Sequence, residues 1–216
     1  MGYTGDVVVG GPAHVRELPA LVLSKVAVGP YDNNCYLLRC RRTGAQLLVD
    51  AADEPEVLSV LVGDDGLESI VTTHRHGDHW QALPSMVERT RATTVAHPLD
   101  APELPVDIDL LVEHGDTIRV GDLMLEVIHL RGHTPGGIAL LYDDPAGPPH
   151  LITGDSLFPG GVGKTTGETF PQLFEDVVTR LFDRLPDETW VYPGHGRDTT
   201  LGAERPHLDE WRARGW

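Results

Sequence analysis

Residues 73–79 read Thr-His-Arg-His-Gly-Asp-His, and this run constrains the architecture more than any other stretch of the chain. His74, His76, Asp78 and His79 each carry polar atoms that need partners, so a plain apolar core cannot absorb all four. A tight loop at the end of a strand can, because it turns several side chains toward one point. The flanks agree: Ser69–Thr72 reads as a buried strand, and Asp78–Arg91 has helical spacing and opens on an N-capping residue. Neutral imidazoles with a hard carboxylate oxygen are the donor set that suits zinc, manganese or iron.

Three later segments share a local grammar. Gly132-His133-Thr134-Pro135-Gly136-Gly137, Thr153-Gly154-Asp155-Ser156 and Pro193-Gly194-His195-Gly196 each put glycine beside a ligand-type residue just after an apolar run. Glycine lets the backbone turn sharply there and leaves room for close approach. One such segment is weak evidence, but together with residues 73–79 they point to a composite metal site.

Around these loops the pattern predicts strands over Leu18–Val28, Asn34–Arg39, Ala45–Val49, Ser69–Thr72, Thr93–Ala96, Asp109–Val112, Leu123–Ile128, Ile138–Tyr142, His150–Ile152 and Thr189–Tyr192. Helices are expected over Pro55–Val62, Asp78–Arg91, Phe170–Leu185 and Ala203–Arg214, the last packed by Trp211 and Trp216. Asp143–Pro149 and Phe158–Gly167 read as loops inside one domain spanning 1–216, with no internal repeat. Two sheets packed together with helices outside would bury all the apolar faces.

At 216 residues, 40% hydrophobic and 23% charged, the chain suits a globular domain. Its 17 basic against 33 acidic residues, a net −16, weigh against nucleic acid as a partner. No apolar run is long enough to span a bilayer, and the Gly-rich, acidic residues 1–11 lack the pattern of a signal peptide. Two cysteines, Cys35 and Cys40, are too few for a disulfide framework and fit a reduced, cytoplasmic setting as buried thiols.

The His74–His79 run, Gly132–Gly136, Gly154-Asp155-Ser156-Leu157-Phe158 and Pro193–Gly196 occur in the order of the metallo-β-lactamase superfamily. Within it the chain is similar to the glyoxalase II-like hydrolases. The resemblance implies an α/β four-layer αββα sandwich, two mixed sheets with helices on both outer faces and the metals at one edge. It implies that His74, His76 and His133 hold one divalent ion, that Asp78, His79 and His195 hold a second, and that Asp155 bridges them. Zinc is the expected metal, with iron or manganese as alternatives. True β-lactamases commonly have Cys at the Asp155 position, which argues against antibiotic hydrolysis.

The implied reaction is hydrolysis of a small thioester. Metal ions lower the pKa of bound water to about 7 and polarise a carbonyl, and Asp78 and Asp155 are the expected catalytic carboxylates. A lactonase would use the same site, and persulfide dioxygenases with a single iron resemble the fold. Only about twenty residues follow His195, short of the helical C-terminal region that helps glyoxalase II bind glutathione, so the thiol carrier stays open.

Other signals carry less. Gly160–Thr166 lacks the spacing of a phosphate-binding P-loop, since Phe stands at position 158. In glyoxalase II-like relatives this loop lies beside the substrate, which makes Lys164 a candidate contact to a substrate carboxylate. Asp50 resembles the family position that supports the metal loop through hydrogen bonds. His14, His97, His114, His129, His150 and His207 read as ordinary histidines, and Tyr31, Asn33 and Asn34 as possible pocket residues.

Overall fold

Strand sequences buried on both faces, such as Gln46–Val49 and Ser69–Val71, need a covering layer on each side. The computed structural model, which describes residues 3–215, supplies those layers. Trp216 lies outside the described residues. The first sheet has seven strands in sequence order: β1 (His14–Glu17), β2 (Leu21–Val28), β3 (Asn33–Cys40), β4 (Gln46–Val49), β5 (Ser69–Val71), β6 (Thr93–Ala96) and β7 (Leu110–Leu111). β1 to β4 are antiparallel, and β4 to β7 are parallel.

β8 (Thr117–Val120), β9 (Leu123–His129), β10 (Ile138–Tyr142) and β11 (His150–Gly154) build the second sheet with β14 (Trp190–Pro193) and β15 (Thr199–Thr200). Its order is β15-β14-β11-β10-β9-β8, with β11 and β14 parallel. A small hairpin, β12 (Leu157–Phe158) and β13 (Gly161–Val162), stands apart.

Alternation sorts the side chains into three cores. Leu21, Leu23, Tyr36, Leu38, Val127, Leu140 and Tyr192 meet between the sheets. Helices α1 (Pro55–Val62) and α2 (Leu83–Thr90) cover the outer face of the first sheet through Leu58, Val62, Leu83 and Met86. On the far side α3 (Phe170–Val177), α4 (Leu201–Glu204) and α5 (Leu208–Arg214) cover the second through Leu173, Phe174, Leu201 and Trp211. The arrangement is the four-layer αββα sandwich of mixed sheets that the motifs implied.

Several expectations need correction. The helix expected over Asp78–Arg91 is a 3-10 turn at Gly77–His79 followed by α2. Gln81 and Ala82 donate their N–H groups to the Ala52 and Ala51 carbonyls, so the helix starts only after that bridge is made. The expected long helix from Phe170 widens at Val178–Phe182, where Asp183 N–H donates to the Val178 carbonyl. The last helix breaks into α4 and α5 around Pro206. Leu18–Ala20 is a turn between two strands, and Phe158 and Gly161–Val162 are strand residues inside an expected loop.

Candidate metal centre

The parallel pairs β4/β5 and β11/β14 bring their C-terminal ends to one edge of the sandwich, where they deliver Asp50, residues 73–79, Asp155 and His195. The β9–β10 connection adds His133 at the same edge. Across the sandwich the start of β3 meets the end of β14: Asn34 N–H donates to the Gly194 carbonyl at 2.7 Å, and Asn33 pairs with His195.

All seven ligand-type residues named from the sequence converge there. Their donor atoms form three groups, each within 4.8 Å: His74, His76 and His133; His74, His79 and Asp155; and Asp78, His79 and His195. Asp155 lies between, with Oδ2 at 3.5 Å from both His133 Nε2 and His195 Nε2 and Oδ1 at 3.4 Å from His79 Nε2.

Metal ions fit this arrangement on three counts. The buried atoms His74 Nε2, His133 Nε2 and Asp155 Oδ1 have no hydrogen-bond partner, an expensive state for polar atoms unless something else satisfies them. In the third group Asp78 Oδ2 lies 3.4 Å from His195 Nε2 and 3.7 Å from His79 Nε2, and the two nitrogens are 3.2 Å apart. A tetrahedral ion with bonds of about 2.0–2.1 Å has donor–donor edges of roughly 3.3 Å. The imidazoles are also oriented from behind. His133 Nδ1–H donates to the Lys164 carbonyl at 2.8 Å, and His195 Nδ1–H to the Tyr31 carbonyl at 2.9 Å. His79 Nδ1–H donates to Asp50 at 2.8 Å and His74 Nδ1–H to Thr73 Oγ1 at 3.0 Å, so each Nε2 faces inward.

Asp50 reaches this position with a left-handed backbone (φ 57°), uncommon outside glycine, and also accepts from Thr73 N–H and O–H. Charge follows the geometry. Burial opposes the imidazolium of His79, but Asp50 and Asp155 outweigh it and push its pKa up to about 10. His195 is raised as well, against burial, by Asp155. Burial and then the neighbouring His79 hold His74 well below its ordinary value. Asp155 is held far below the usual carboxylate range, since the His195 and His79 imidazoles beside it outweigh its burial. Asp50 and Asp155 therefore favour positive charge in the pocket, held as protons on His79 and His195 until an ion displaces them, while His74 stays neutral with its Nε2 lone pair available.

Two cavities flank the centre. One, of about 540 Å³, is lined by Arg75, His76, His133, Lys164, Thr166 and Gln172 among others, and places Lys164 beside the first group. The other, of about 480 Å³, is lined by Tyr31, Gly77, Asp78, Trp80 and Gln81. Asn33 donates to Asp78 Oδ2 at 2.9 Å, and Asn34 Nδ2 to the Pro193 and Gly196 carbonyls. Among the described residues the other histidines stand outside the three groups: His129 donates to the Pro135 carbonyl and stacks on His97, and His150 bonds Tyr192. Sequence reasoning missed Asp100, which binds both ligand loops, and the outward carbonyls of Tyr31 and Lys164.

Comparison with known proteins gives the same picture. A family model described as the metallo-beta-lactamase superfamily matches residues 28–195. A hydroxyacylglutathione hydrolase of Rhodopseudomonas palustris (strain BisB5) is 34% identical, with 85% of this chain aligned to 66% of that protein, so the chain spans just under two thirds of its length. Among solved structures, ETHE1 from Myxococcus xanthus has 30% identity and a TM-score of 0.76, covering 88% of this chain and 84% of its own. TTHA1623, solved in a di-iron-bound form, has 33% identity and a TM-score of 0.69, covering 84% of this chain and 96% of its own. With the model matching most of its length and the family's residues gathered at one edge of the family's sandwich, the chain belongs to the metallo-beta-lactamase superfamily.

Proposed function

We propose that this chain is a metal-dependent hydrolase, a single domain over 1–216, that holds two divalent ions and cleaves a small thioester. The observation that carries the proposal is Asp155, whose Oδ2 lies 3.5 Å from both His133 and His195, with Oδ1 3.4 Å from His79. A single carboxylate is thereby shared between two donor sets. His74, His76 and His133 would hold one ion, and Asp78, His79 and His195 the other. The donors suit zinc, with iron or manganese as first-row competitors.

Ions bound there supply Lewis acidity toward a carbonyl and a water nucleophile available near neutral pH. The chain's own residues do the positioning. Asn33 fixes Asp78 beside His79 and His195 by its hydrogen bond, Asp155 places its oxygens between the two sets, and the two carboxylates would orient the attacking water. Lys164 and Arg75 line the cavity beside His76 and His133 and receive the anionic part of the substrate. Thioester cleavage is supported by this cationic cleft and by the likeness to a hydroxyacylglutathione hydrolase.

The test is metal content of protein purified without added metal, then activity on thioester and lactone panels after chelation and reconstitution. About two ions per chain, with zinc restoring thioester hydrolysis, is the expected result. Restored cleavage of lactones alone would make the protein a lactonase. One iron per chain, with oxygen uptake on a persulfide, would replace the hydrolase reading altogether.

A further inference from the structure

The three imidazoles of the first donor set come from two loops on different sheets: residues 73–79 after β5, and the connection between β9 and β10. Something must hold those loops in register, because a shift of about 1 Å spoils a ligand set. Asp100, in the turn after β6 and only 1% exposed, touches both. Its Oδ2 accepts from Arg75 N–H at 3.1 Å, between His74 and His76, and from Thr134 O–H at 2.6 Å, next to His133. Its Oδ1 accepts from Gly136 N–H at 2.8 Å. A Cβ on Gly136 would lie 2.8 Å from the Asp100 carboxyl carbon, so the loop is seated directly on this side chain.

The hydrogen bonds to Asp100 come from uncharged donors, and its one ion pair is a long contact of 4.0 Å with Nε of the half-exposed Arg75. A partly solvated guanidinium at that distance offsets the charge of a buried carboxylate only in part, so a further cation nearby stabilises it. The first donor set is three imidazoles with no carboxylate of its own beyond the shared Asp155. Asp100 therefore adds negative charge behind the site that has least of it. The second set has a counterpart in Asp50, which bonds His79 and Thr73.

We propose that Asp100 is the positioning residue of the first donor set and sets the affinity of that site separately from the second. The proposal rests on the two-ion reading above. A double-mutant cycle tests it with zinc as the probe, reading dissociation constants by chelator competition on protein whose folding is checked by circular dichroism. In a His195→Ala background, which leaves the first set, Asp100→Ala is expected to weaken zinc about 10- to 100-fold. In a His76→Ala background, which leaves the second, it is expected to change zinc affinity by less than about threefold.

Asp100→Asn keeps the shape and an acceptor for Gly136 N–H, so it should lose less than Ala. Should Asp100→Ala fail to fold, Asp100→Asn and Thr134→Val carry the same cycle. Equal weakening in both backgrounds, tracking a fall in melting temperature, would reduce Asp100 to a structural residue and overturn the proposal. Failure of the unsubstituted protein to bind zinc would overturn the two-ion reading and this proposal together. Two ions bound with no site-specific effect of Asp100 would overturn this proposal alone.

Discussion

Four of the centre's imidazoles donate outward, and two of their acceptors are main-chain carbonyls, at Tyr31 and Lys164. Lys164 therefore has two separable parts. Its carbonyl orients His133 and survives any side-chain change, whereas its ammonium only lines the cleft. Lys164→Ala is expected to raise KM for an anionic thioester about three- to tenfold with little change in kcat, the signature of lost uniform binding. A neutral thioester of the same size should be unaffected, and a comparison of the two substrates checks this. The division also explains what the sequence could reveal. Metal-donor side chains must be encoded as His or Asp, so the seven residues that converge at this edge were visible as candidates. A carbonyl acceptor can belong to any residue, and Asp100 lies 21 positions beyond the nearest ligand of the 74–79 run, in a segment with no motif. Away from the centre, His150 is 3% exposed and its pKa is lowered to about 4 by burial and by Arg16, with Asp144 opposing. Between that value and the ordinary 6.5 the unfolded chain binds the extra proton, so stability falls as pH drops from 6.5 to 4, by up to about 3 kcal/mol. Urea titrations of chelator-treated protein should show this slope, and His150→Gln should flatten it.

Elements were legible where apolar runs are long and bounded by turn residues. Pro55–Val62, Thr93–Ala96 and Ile138–Tyr142 form over the expected residues. β8 was missed because its alternating Thr-Ile-Arg-Val shows half its side chains to water and is only four residues long. Asp78 misled the reading of α2, since a residue suited to capping a helix instead accepts a hydrogen bond from Asn33 at the metal centre. Tertiary context overrode a good local signal. The element that most directly controls a ligand loop is α3. Gly132 has φ 136°, and a Cβ there would lie 2.6 Å from Leu173 Cβ and 2.8 Å from the Thr169 carbonyl oxygen. Arg131 meanwhile ties the same loop to α3, with N–H, Nε and Nη2 all donating to Asp176. Gly132→Ala must push α3 and the His133 loop apart, at a cost of about 1–3 kcal/mol. Because the displaced side chain belongs to the proposed first donor set, kcat should fall more than the stability loss alone explains. Denaturant melts and steady-state kinetics on one preparation check both, and wild-type behaviour in each would show that the loop is free of the helix.

At the scale of the molecule the metal edge depends on the two sheets staying in register, and one buried ion pair sits at that junction. Lys25 of β2 and Asp198, just past the His195 turn, meet at 2.6 Å with side chains 0% and 1% exposed. Lys25 also donates to the Gly5 and Gly196 carbonyls, so one ammonium fastens the N-terminal arm, the first sheet and the turn carrying His195. Asp198 accepts in addition from Tyr3 O–H and Trp190 Nε1–H. Removing the cation leaves the carboxylate buried with neutral donors only, a change that costs about 3–5 kcal/mol. Lys25→Met should therefore destabilise the protein by that amount in urea, and adding Asp198→Asn should restore part of it, because the stranded charge is gone. The local consequence separates this clamp from general stability. The Gly196 carbonyl loses a donor one residue from His195, while His74, His76 and His133 lie on loops the ammonium does not touch. Zinc should thus weaken at the second set and hold at the first, the reverse of the pattern expected for Asp100→Ala. Equal stability of Lys25→Met and wild type would mean that the core between the sheets aligns them without the clamp.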